Sequence, residues 1–171
     1  MALFTDSPAI DIVDLTAYES SILETANAEG IDLTVKIGLA KEEAGAQLEG
    51  LTELEGVVVT APLRLWQLFH TLALVYRDAY HSQLNDRYRG KWQEYRGLAR
   101  WASELLFQVG IGYARDPIPE AEAPQLSAAI GALAAGTYFA RTSWLNAAGE
   151  EGSAGKLASL DLTAGSCKRR R

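Results

Sequence analysis

Apolar positions recur at helical steps over the first two-thirds of the chain and alternate near its end. Asp14 is placed to cap a first helix in which Leu15, Tyr18, Ile22 and Ala26 share one face, and Gly30 is placed to stop it near Glu29. Asp32 caps a second run carrying Leu33, Ile37, Ala40, Ala44, Leu48 and Leu51 on one side and Lys36, Lys41, Glu42, Glu43 and Glu49 on the other. Gly38, Gly45 and Gly50 each cost this helix about 1 kcal/mol relative to Ala and thin it for close contact. Val57 to Thr60 reads as either an extended stretch or a buried link before Pro62 opens a third helix, where a missing N–H does no harm.

From Pro62 onward Leu65, Trp66, Phe69, Leu72, Ala73, Tyr76 and Tyr80 draw a broad apolar stripe. After a break near Leu84-Asn85, with Asn85 or Asp86 as cap, a fourth helix carries Tyr88, Trp92, Tyr95, Ala99, Ala102, Leu106 and Val109 in alternating steps of four and three. Leu98, Trp101 and Leu105 widen that stripe, and Arg89, Arg96 and Arg100 form a row about 100° away. The expected core is Leu65, Trp66, Phe69, Leu72 and Tyr76 against Tyr88, Trp92, Tyr95, Leu98 and Leu106.

Asp116-Pro-Ile-Pro-Glu-Ala-Glu-Ala-Pro124 breaks the helical pattern and tends toward extended geometry. Beyond it, β-formers from Thr137 to Leu145, a turn over Asn146 to Gly152 and a return strand over Lys156 to Leu162 predict a hairpin. So short a hairpin must pack on the helices, on another copy or on a partner. The expected organisation is a helical domain over 1–115, a Pro-rich linker over 116–124, a β-hairpin appendage over 125–165 and a basic tail over 166–171. The class is mainly α, with four helices and α+β overall.

Composition sharpens this in two ways. At 171 residues and 48% apolar the chain can bury a core unaided, and its one cysteine, Cys167, reads as an inert passenger without a disulfide partner. Charge is segregated: residues 1–60 carry a balance of −10 and residues 61–115 a balance of +4. These thirds pair either within one molecule or between neighbouring copies. The acidic whole argues against tight DNA binding, and Lys168 to Arg171 are four charges on a terminal tail. The first residues lack the basic start and apolar run of a targeting signal, and the Ala-rich stretch from Ala123 to Ala140 is a poor membrane span, so the expectation is a protein made in the cytoplasm and outside the membrane.

Catalytic chemistry finds little to build on. His70 and His81 fall near one face of the third helix but about 16 Å apart along it, too far to share a metal. Asp78 and His81 have the three-residue spacing of carboxylate-bundle metal sites, but those use two such motifs and further inward Glu residues. No phosphate loop, nucleophile elbow or Cys with a partner His is present. The expectation is no enzyme, no cofactor and no metal. The alternatives are a small helical metal carrier or enzyme built on Asp78 and His81, and a monomeric helical binding module.

Two segments resemble known proteins. Leu65-Trp-Gln-Leu-Phe-His-Thr-Leu-Ala-Leu-Val-Tyr-Arg-Asp-Ala-Tyr80, followed by Asn85-Asp-Arg-Tyr-Arg-Gly-Lys-Trp-Gln-Glu-Tyr-Arg96, resembles the helical head-tail connector proteins of tailed bacteriophages. Gly136-Thr-Tyr-Phe-Ala-Arg-Thr-Ser-Trp144 and the turn after it resemble a hairpin of the fibronectin type III-like modules of phage structural proteins, in which Tyr and Trp pack inward. The resemblance implies a connector-type bundle in the virion neck. It implies a homo-oligomeric ring of about twelve copies by that analogy, docked on the portal protein and joined to the next neck or tail protein, with DNA passing through without sequence-specific binding. Candidate contacts between subunits or with partners are Arg89, Arg96 and Arg100 on one side, Glu42, Glu43 and Glu49 on the other, and Tyr138 and Trp144 on the hairpin.

Overall fold

The computed structural model describes residues 2–83, 86–129 and 133–162. It is mainly helical with a small two-stranded antiparallel sheet, and the chain divides into a helical unit, Leu3–Asp116, and a second unit containing residues from Pro117 onward. Cys167 and the basic tail, like the proposed Asn85 cap, lie outside the described residues.

The helical unit has α1 (Ile12–Tyr18), α2 (Ile22–Glu29), α3 (Leu33–Glu49), α4 (Ala61–Gln83) and α5 (Arg89–Val109), giving five α-helices among the described residues instead of four. The extra helix comes from a break at Glu19–Ser21. Asp11, not Asp14, caps α1: its side chain accepts from the Asp14 N–H at 3.0 Å, and Asp14 accepts from the Asp11 N–H at 3.0 Å. This reciprocal capping box satisfies two donors that the first turn leaves open. Glu19 then adopts an extended conformation and Ser21 caps α2, so one apolar stripe serves two short helices. Gly30, at φ +66°, ends α2 in the left-handed conformation a side chain would strain.

Helix α4 is the hub. Leu63, Trp66, Gln67, Leu68, Phe69, Leu72, Val75, Tyr76 and Ala79 are all buried, so partners cover it on several sides. Its partner α5 runs antiparallel, because Trp66 meets Phe107, Tyr76 stacks on Tyr95 and Tyr80 stacks on Trp92, the numbers rising on one helix as they fall on the other. Helix α3 lies antiparallel to α4 too, with Lys36 bonded to Asp78 and Glu43 to His70. A short 3-10 turn, Asp86–Tyr88, leads into α5.

The expected core is corrected at three positions. Trp66, Phe69, Leu72, Tyr76, Tyr88, Tyr95 and Leu106 are buried, but Leu65, Trp92 and Leu98 are only partly buried against that cluster. Trp92 borders an open groove along α4, and Leu65 and Leu98 pack against the cluster from its edge. Leu51 departs further: α3 ends at Glu49, so Leu51 leaves the helical register and is 64% exposed.

The Val57–Thr60 stretch is extended where it begins. Val58 bridges Leu3 and Val57 bridges Tyr113, with the Val58 N–H donating to Gly112 and the Ala114 N–H to Gly56. The start, middle and end of the helical unit are thus joined by backbone bonds.

In the second unit, β1 (Gly136–Ala140) pairs antiparallel with β2 (Ala158–Leu162), Gly136 opposite Leu162 and Ala140 opposite Ala158. The arm between them keeps pairing: Gly155 donates to Thr142 at 2.9 Å, Gly152 to Trp144 at 2.9 Å and Asn146 to Glu150 at 3.1 Å. At the tip, Asn146 Oδ1 accepts from Ala148 and Glu150 N–H groups, an Asx turn that reverses the chain. Of the expected Pro-rich linker over 116–124, residues 117–124 lie along this hairpin. Ala121 is buried and donates to Ser153, and Thr142 Oγ1 donates to the Glu122 carbonyl.

Candidate interaction surfaces

A groove of about 500 Å3 runs along α4 between α3 and α5. Antiparallel packing creates it, because α3 and α5 flank α4 and leave a strip of it between them. Ala73, Leu74 and Trp92 contribute apolar surface, and Arg77, Arg96 and Arg100 contribute the lining charges. Arg100 pairs with Glu104 at 3.0 Å on the exposed flank of α5, and Arg77 reaches Asp78 at 3.4 Å. Asp78 is also bound by Lys36, no carboxylate is among the lining residues, and Arg96 has no ion pair with a described residue. The surface therefore favours an anionic partner carrying some apolar area.

The structure places two of the three predicted arginines, Arg96 and Arg100, in this groove; Arg89 is exposed at the start of α5 and does not line it. Arg77, which sequence reading did not single out, completes the set from α4. Its signal was available: Arg77 follows Ala73 by one helical turn on the facing helix.

Glu42, Glu43 and Glu49 are exposed on α3. Glu43 meets His70 at 2.6 Å, so it is engaged within its own molecule. Beyond Glu49 the chain forms a turn in which Glu53 and Glu55 join Glu49 around a shallow concavity with Leu51. Residues 42–63 contain five acidic side chains and no Lys or Arg, which makes this end of α3 the acidic counterpart of the groove.

Asp78 and His81 do not converge. Asp78 is held by Lys36 and Arg77, while the His81 ring packs edge-on against Tyr80 and Trp92 with centroids 5.1 and 5.7 Å away. Among the described residues no group of three or more His, Cys, Asp or Glu side chains is placed to hold a metal ion. No described helix is long and apolar enough to cross a membrane.

A second polar cluster was invisible to spacing. Glu19, 8% exposed, accepts from Lys91 at 2.7 Å, from Tyr95 at 2.8 Å and from Ser21 at 2.8 Å. Burial is the largest single influence and pushes its carboxyl up, but the three hydrogen bonds and the Lys91 charge together lower it to about 2. Burial and then the Glu19 hydrogen bond push the Tyr95 phenol up, while the bond to Glu19 raises Lys91. The carboxylate is a fastening for α5, since its oxygens are occupied by these donors.

On the hairpin, Tyr138 is half-buried and its hydroxyl donates to the Ala134 carbonyl at 2.9 Å. Trp144 does not pack inward: it is 56% exposed, because the described strands form a single two-stranded layer with no second sheet among the described residues to receive it. Phe139, Leu145 and Leu157 are exposed as well.

The charged thirds meet within the molecule at Arg64–Asp14 and Lys91–Glu19. That pairing uses part of the basic third and leaves Arg89 and Arg96 without an ion pair to a described residue. The chain matches no family model, no curated protein and no solved structure.

Proposed function

We propose that this protein is a structural adaptor of a tailed-phage neck, a homo-oligomeric ring that docks on the portal, receives the next neck or tail protein and surrounds passing DNA. The observation that carries the reading is the α4–α5 hairpin. The two segments that resemble connector proteins form its buried interior through Trp66, Tyr76, Tyr88 and Tyr95, and its outer side keeps a basic row from Arg89 to Arg100. A helical hairpin whose basic face keeps Arg89 and Arg96 without an ion pair to a described residue suits a building block whose purpose is contact. The exposed apolar side chains of the second unit suit pairing with a neighbouring protein, as open strand edges do.

The adaptor role requires no catalytic group, cofactor or metal. The test is co-expression with the portal protein of the same virus, followed by affinity capture through portal and electron microscopy. A stoichiometric ring stacked on portal is the expected result. Absence of the protein from purified virions by mass spectrometry, together with no capture by portal, overturns the reading.

A further inference from the structure

The groove and the acidic turn are complementary parts of one surface chemistry. The groove is lined by Arg77, Arg96 and Arg100 and by no carboxylate, and Ala73, Leu74 and Trp92 supply apolar area. The turn carries Glu49, Glu53 and Glu55, with Leu51 64% exposed among them. An aliphatic side chain ringed by carboxylates is what an apolar strip edged by guanidiniums can accept, with fork-shaped donors meeting planar acceptors.

The turn is anchored to its own helix and core. The N–H groups of Leu51 and Thr52 both donate to Leu48 at the end of α3, and Leu54 in the following 3-10 turn packs against the core. Its carboxylates are therefore presented on a fixed support, which lowers the entropy lost on docking.

We propose that the acidic turn of one copy seats in the basic groove of a second copy, Leu51 supplying the apolar contact and Glu49, Glu53 and Glu55 meeting Arg77, Arg96 and Arg100. The two patches are different surfaces, so each copy offers one of each and the contact can repeat from copy to copy. The choice of a second copy as occupant rests on the ring reading above; the pairing itself rests on the charges and on Leu51.

The test is self-association of the full chain measured by sedimentation at low and high salt. Wild type is expected to associate at about 50 mM salt and to dissociate at about 500 mM, where screening shortens to a few ångströms. Arg96→Glu with Arg100→Glu, and separately Glu53→Lys with Glu55→Lys, should each weaken association at least tenfold with helical content unchanged. Mixing the two variants, or combining all four changes in one chain, should restore it. A wild type that stays monomeric, a reversal without effect, or a mixture that fails to recover overturns the proposal. So does DNA affinity that follows the groove arginines while self-association ignores them, which assigns the groove to phosphates. A ring seen by microscopy on portal despite both reversals removes this contact and leaves the adaptor reading standing.

Discussion

The Tyr95 phenol on α5 donates 2.8 Å to the same Glu19 oxygen that receives Lys91 at 2.7 Å, across more than seventy positions of sequence. Glu19 sits where α1 breaks from α2, so one carboxylate fixes both the break and the lateral position of α5. Removing the phenol by Tyr95→Phe leaves Lys91 and Ser21 in place and should cost about 1–2 kcal/mol in chemical denaturation. Glu19→Ala should cost more, because Tyr95 is then left buried without its acceptor.

The same carboxylate sets an acid limit. Its pKa in the folded protein is about 2 against 4.5 for the unreacted group, so its contribution is fully present above pH 5 and is lost as pH falls toward 2. With Lys91 about half exposed, we expect a loss on the order of 2 kcal/mol over that window. Thermal melts from pH 6 to pH 2.5 should show a shallower decline for Glu19→Gln than for wild type. Parallel declines would mean that other carboxylates govern acid unfolding.

Partial burial of Trp92 predicts a graded mutational response. Leu72, completely buried in α4, should lose about 2–5 kcal/mol on truncation to Ala through the cavity it leaves. Trp92→Ala should cost less than a fully buried Trp, about 1–2 kcal/mol, since solvent already reaches part of the ring. Paired urea titrations of the two variants decide the ranking.

Gly155 is a tightly packed glycine of the second unit. A Cβ there would sit 2.3 Å from the Ala121 carbonyl oxygen and 2.9 Å from that of Glu122, both backbone atoms that cannot rotate away. Gly155→Ala should separate residues 117–124 from the hairpin while leaving the helical unit folded. Amide exchange of Ala121 and Gly155 should accelerate while that of Tyr95 and Leu106 stays unchanged.

Much of the helical unit was legible because periodicity records burial. Asp32, the α3 span, the Pro62 start and the α5 register all follow from one apolar face per helix. The α1–α2 break was not legible, since Ile22 and Ala26 keep the stripe running while Glu19 obeys a partner on α5. Arg96 and Arg100 were found as a row on one helix, but the groove needs Arg77 from a second helix, and pairings between helices leave no trace in spacing. Residues 117–124 looked like a spacer because prolines exclude helix; their bonds to Ser153 and Thr142 come from a segment synthesised later.

The bridges Leu3–Val58 and Val57–Tyr113 give the helical unit a timetable on the ribosome. Helices α1 to α4 can form locally as they emerge, but the extended tie cannot close until Gly112 and Ala114 have left the exit tunnel. Closure of this tie therefore coincides with synthesis of the hairpin, and its exposed Phe139 and Trp144 emerge when the helical core is free to finish folding without them.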